Sequence, residues 1–204
     1  YIAQEEYKEA EKMISYLIKM MSESNSDPLS MNEEMEPLHF TMGLLLVSQN
    51  RYEEAMKSFY NAVLINDKNE QSYNYLGECC FELGLNQEAE SFFSKAIKLD
   101  QSYTQPIMNL GKFYYSQGKY SQAILAMQRL IEIINKSDET SNNKEKVFAY
   151  NLLGKAYLQS GDKDKAIKAL SDSLEIEPNQ PEIASLISKP DSASYKRKII
   201  SIDD

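Results

Sequence analysis

The chain has 204 residues, with 22 Lys+Arg against 31 Asp+Glu, a formal net charge of −9 and a 42% hydrophobic share. That length and balance suit one globular domain or one and a half, and seven glycines with six prolines are too few for a turn-dense β fold. The acidic excess argues against non-specific binding to nucleic acid or anionic lipid, and the densest apolar run, Leu44–Val47, falls far short of the roughly 18 residues a membrane span needs.

From the N-terminus, residues 1–21 read as one amphipathic helix, because Tyr7, Ala10, Ile14 and Leu17 repeat the spacing of Tyr52, Ala55, Phe59 and Ala62. Residues 22–35 are polar, contain Pro28 and read as a linker. Beyond them a period emerges. Gly43, Gly77 and Gly111 stand 34 apart, and Gly154 follows after 43, a period plus nine inserted residues. Twelve residues past each glycine is an alanine: Ala55, Ala89, Ala123 and Ala166. Four residues further come Phe59, Phe93, Met127 and Leu170.

Each period reads as two helices. Tyr73, Leu76, Gly77 and Cys80 share one helical face, as do Ile107, Leu110, Gly111 and Tyr114, and again Tyr150, Leu153, Gly154 and Tyr157. Gly84, Gly118 and Gly161, seven residues past their first glycines, mark where the first helix ends in a left-handed residue. A glycine inside a helix costs about 1 kcal/mol relative to alanine. Its recurrence at Gly43, Gly77, Gly111 and Gly154 predicts a close approach of two helix backbones there. The 138–146 stretch, SDETSNNKE, is an insertion between units, and Pro190 closes a short apolar segment, Ile183–Ile187, expected to cap the last unit.

These positions resemble the tetratricopeptide repeat (TPR), whose 34-residue pattern runs L-G-x2-Y, then A-x3-F, then P. The resemblance covers 36–180 in four units, 36–69, 70–103, 104–137 and 147–180. No unit has Trp at its fourth position, and only Pro178 keeps the closing proline. The resemblance implies an all-α fold, an α-solenoid of antiparallel helix hairpins wound into a right-handed TPR superhelix. It would hold four full repeats plus a half-repeat at 1–21, with a capping stub and tail at 181–204. An array that opens on the second helix of a unit, at Tyr1 rather than Met, reads as a fragment of something longer.

Catalytic signatures are missing. One histidine, His39, leaves no histidine pair for zinc and reads as a core residue. The Gly-Lys pairs at Gly111, Gly118 and Gly154 lack the spacing of a phosphate-binding loop. Cys80 takes a buried position and reads as a small core residue rather than a nucleophile. Adjacent Cys79 and Cys80 are no disulfide framework and fit a reducing, cytoplasmic compartment. The sequence reading therefore carries no catalytic residue, metal or cofactor, and assigns a non-catalytic adaptor or scaffold within a multiprotein complex.

In the resembled family the first helices line a concave groove that takes a peptide or helix of another protein. The implied lining residues are Phe40, Leu44 and Val47 in the first unit, and Asn74, Glu78 and Phe81 in the second. Met108, Asn109, Lys112 and Tyr115 follow in the third, and Phe148, Asn151, Lys155 and Leu158 in the fourth. Apolar residues with interspersed amides suit peptide recognition. The family's clamp for a heat-shock chaperone C-terminus needs Lys, Asn and Arg at set positions, and only Asn109 matches, so that partner is not expected. Tyr195–Lys198 is too short a basic run for nucleic acid, and Ile199–Asp204 resembles a SUMO-interacting motif. Two alternatives stand beside the adaptor: the regulatory repeat region of a larger enzyme, and a structural subunit packing by its convex face and ends.

Overall fold

The structure, a computed structural model, describes residues 2–23, 28–136 and 143–188. Among these residues the secondary structure is entirely helical. In chain order the helices are α1 (Ile2–Ser22), α2 (Pro28–Val47), α3 (Tyr52–Ile65), α4 (Glu70–Glu82) and α5 (Asn86–Leu99). They continue as α6 (Thr104–Ser116), α7 (Tyr120–Lys136), α8 (Asn143–Ser160), α9 (Lys163–Ile176) and α10 (Pro181–Ser188). The chain divides into two compact units, Tyr1–Leu110 and Gly111–Asp204, with the division inside α6.

In the first unit, α2 pairs with α3 and α4 with α5, each as a helical hairpin. The periodic glycines sit where the pairs touch. A Cβ on Gly77 would lie 2.6 Å from the Phe93 ring, and one on Gly43 would lie 2.5 Å from the Phe59 ring. Glycine is therefore what lets each aromatic side chain reach the facing backbone. Phe59 and Phe93 are fully buried, each worth about 1.5–3 kcal/mol relative to exposure. Phe59 also stacks on Tyr75 of α4 at 5.1 Å, with Phe40 of α2 edge-on to Phe59 at 5.6 Å, so one hairpin is joined to the next through aromatic faces.

The second unit repeats the scheme with aliphatic knobs. Met127 of α7 and Leu170 of α9 are fully buried against Gly111 and Gly154. α10 lays Ile183 and Leu186 on Leu170, covering the apolar side of α9.

First helices end alike. The Gly84 N–H donates to the Phe81 carbonyl at 3.0 Å and the Leu85 N–H to the Cys80 carbonyl at 2.8 Å, the paired bonds of a Schellman cap. Gly118 with Lys119, and Gly161 with Asp162, make the same pairs, and so do Asn50 with Arg51. Gly84 has φ 73°, and Asn50 has φ 57° in the corresponding place of the first hairpin. Asparagine tolerates this left-handed conformation better than other side chains that carry a Cβ, and a search confined to glycine overlooks it.

Two sequence boundaries are corrected. The polar linker expected over 22–35 is largely helix, since α2 begins at Pro28, and the insertion expected over 138–146 yields to α8 at Asn143. Proline fits a first helical position, where its missing N–H would have no partner, so Pro28 starts a helix instead of breaking one. Pro37 lies inside α2 without ending it; the C-terminal half of the helix is anchored by buried Met42 and Leu46 in the core around Phe59. The Tyr195–Lys198 run, the Ile199–Asp204 segment and residues 138–142 lie outside the described residues.

Candidate protein-binding faces

Within the first unit, the residues expected to line a groove divide by what holds them. Phe40, Leu44 and Val47 are half-buried and pack on the core around Phe59; the Phe40 ring also meets Tyr75 edge-on at 5.7 Å. Phe81 and Met108 are half-buried. Asn74 is fully buried and Asn109 nearly so. The Asn74 amide donates to Glu78 Oε1 at 3.0 Å, and the Asn109 amide donates both to Asn74 Oδ1 at 3.0 Å and to the same Glu78 oxygen. Gln105 donates to Asn109 Oδ1 at 3.4 Å. The two amides thus form a polar lock between α4 and α6 and hold the Glu78 carboxylate in place. The Glu78 charge is felt nearby: burial chiefly, then Tyr75 and Glu78, push the Tyr103 phenol up to about 12, and burial followed by Glu78 raises Tyr75.

Within the second unit, Lys112 is exposed and places its ammonium 5.2 Å from the Phe148 ring centroid, a cation–π contact. Tyr115 packs edge-on to Tyr120 at 5.6 Å. Asn151 donates to Gln180 Oε1 at 2.7 Å, and Gln180 in turn donates to Ser173 Oγ at 3.0 Å. Leu158 packs with Leu170, Ile183 and Leu186, so the start of the capping segment engages both ends of the α8 face. Lys155 is half-buried.

The chemistry-bearing side chains elsewhere are quiet. Burial pushes the Cys79 thiol up to about 12 and the Cys80 thiol to about 11, so both are neutral at pH 7. Cys80 Sγ lies 3.8 Å from Met56 Sδ, in keeping with a core role. His39 is half-buried, and that burial lowers its pKa. Among the described residues there is no group of three or more His, Cys, Asp or Glu placed to hold a metal, and no helix is long and apolar enough to cross a membrane.

Sequence reasoning missed one ion-pair network. Arg51 makes a two-pronged contact with Glu11 of α1 at 2.7 and 3.2 Å and another with Glu54 at 2.7 and 2.6 Å. These bonds, Glu54 first and then Glu11, raise the pKa of the Arg51 guanidinium. Glu11 lies 40 residues from Arg51, and no local pattern signals a pairing at that range.

A family model described as tetratricopeptide repeat matches residues 103–178, and one described as anaphase-promoting complex, cyclosome, subunit 3 matches residues 3–96. The chain is a tetratricopeptide repeat protein. Its all-α architecture of stacked helix hairpins belongs to the TPR solenoid class.

Among curated proteins, this TPR chain is 24% identical to the BBSome complex member BBS4 of Mus musculus over 71% of its length and 26% of the relative's. It is 25% identical to the BBSome complex member bbs-4 of Caenorhabditis elegans over 92% of its length and 38% of the relative's. The chain therefore spans between a quarter and two-fifths of these relatives. Among solved structures, BtubC (BKLC) from P. vanneervenii aligns at TM-score 0.76 with 18% identity, covering 86% of this chain and 75% of that one. At that identity the likeness speaks for the fold alone.

Proposed function

We propose that the first-helix face of each unit binds a peptide or helix of a protein partner, and that the chain acts as a non-catalytic adaptor within a multiprotein assembly. TPR architecture supports a protein-interaction scaffold in general. The observation that carries the finer reading is the uneven state of the face residues. Phe81, Met108 and Lys155 are only half-buried and Lys112 is exposed, while the Asn74 and Asn109 amides tie α4 to α6 and hold the Glu78 carboxylate. A face with partly accessible apolar groups on a rigid support binds without a large ordering cost. The curated relatives are by name members of the BBSome complex, which supports membership in an assembly of several proteins.

The test is affinity capture from the native source with four variants. Phe81→Glu and Lys112→Glu alter the first-helix faces of the two units. Leu64→Glu and Leu125→Glu alter second helices α3 and α7, at side chains 69% and 66% exposed. Each variant is used only if its thermal melt matches wild type. The expected result is selective loss of one set of partners with Phe81→Glu or Lys112→Glu and full retention with the other two. Loss confined to Leu64→Glu or Leu125→Glu would instead move binding to the second helices and favour the structural-subunit reading.

A further inference from the structure

The charge of the chain is unevenly divided. Residues 1–110 hold 8 Lys+Arg against 18 Asp+Glu, a net −10, whereas residues 111–204 hold 14 against 13, a net +1. Within the first unit the signs are also sorted between helix types. The first helices α2 and α4 carry three glutamates each and neither Lys nor Arg, while Lys57, Lys95 and Lys98 stand on the second helices α3 and α5. In the second unit the first helix α8 has the opposite balance, with Lys144, Lys146 and Lys155 against Glu145.

Glu78 of α4 is built into this acidic face. The buried Asn74 and Asn109 side chains both donate to its Oε1, and Gln105 in turn donates to Asn109. The carboxylate is half-buried, and half-buried Tyr75 and Phe81 flank it at i−3 and i+3. A side chain already oriented in this way has little freedom left to lose on pairing, and partial burial strengthens its attraction for a cation over that in open solvent. Its charge reaches two phenols: burial and then Glu78 raise the pKa of Tyr75, and burial, Tyr75 and then Glu78 raise that of Tyr103. Aromatic groups beside a fixed carboxylate suit a guanidinium or ammonium group. We propose that the first-helix face of the first unit takes a basic segment of its protein partner, with an Arg or Lys side chain paired to the Glu78 carboxylate and an apolar neighbour set on Phe81. This rests on the first-helix reading above and adds to it the chemistry of the partner.

The probe is a phage-displayed library of random peptides, selected on the 204-residue chain and in parallel on its Phe81→Ser variant. Peptides that need Phe81 should carry Lys or Arg at one recurrent position. A synthetic copy of the most frequent one should bind Glu78→Gln at least about tenfold more weakly than wild type, and should bind Glu53→Gln, changed at an exposed acid of α3, as well as wild type. Glu78→Asp keeps the charge and should recover most of the affinity; a loss equal to that of Glu78→Gln would make the role of Glu78 structural and overturn the proposal. Peptides that need Phe81 but lack a basic residue, or that ignore Glu78→Gln, overturn it and leave the first-helix reading standing. Basic peptides weakened equally by Glu53→Gln answer to diffuse charge and overturn it as well. Selection indifferent to Phe81→Ser, or yielding no binder, overturns the proposal together with the first-helix reading for this unit.

Discussion

Gly77, inside α4, and Gly84, just past its end, lie seven residues apart and do opposite jobs. Gly77 is needed for space, because the Phe93 ring would lie 2.6 Å from any Cβ; Gly84 is needed for its φ of 73°, with nothing within 4 Å. Gly77→Val should therefore destabilise by about 1–3 kcal/mol through overpacking. Gly84→Ala should lose about 1–2 kcal/mol through left-handed strain, and Gly84→Asn less, because Asn50 already occupies the same cap. Urea unfolding midpoints of the three variants check this order. His39 gives a pH signature. Its pKa is lowered by burial, so below its ordinary value of about 6.5 the unfolded chain takes up a proton that the folded chain refuses. Stability is complete above that pH and declines as pH falls towards the folded pKa. His39→Gln should flatten this part of the slope in urea midpoints measured between pH 7.5 and 5.5. The glycine roles were legible in the sequence because period and spacing expose them. Asn50 was not, since it fills with an asparagine the left-handed cap that glycine fills in the other three units.

At the scale of elements, the hairpins were legible because two independent signals agree. The apolar positions recur with helical spacing, and a left-handed residue closes each first helix. Where only one signal was present the reading slipped. Residues 28–35 are polar and contain proline, yet they are helical, because proline is compatible with a helix start and the rest of α2 is anchored by packing. The candidate faces were legible as positions but not as states. Asn74, Asn109 and Asn151 read as amides facing a ligand, whereas the first two hold each other and Glu78, and the third holds Gln180. Partnering of this kind depends on neighbouring helices and leaves no local mark in the sequence. The Arg51–Glu11 pair escapes for the same reason.

Across the molecule, four hairpins supply four first helices whose faces carry different chemistry. The face of α4 has an anchored carboxylate at Glu78 among tyrosines, and the faces of α6 and α8 carry Lys112 and Lys155. Burial of Ala55, Phe59 and their equivalents holds the hairpins together. Period and core are consequently plain in one sequence, while the residues proposed to meet a partner lie outside the repeat pattern. Hydrogen exchange on the chain with and without a partner recovered by affinity capture decides whether the first helices bind, as proposed. Protection gained on binding should concentrate in α4, α6 and α8. Protection confined to the second helices α3, α5, α7 and α9 would place binding on the opposite side of each hairpin and overturn the first-helix proposal.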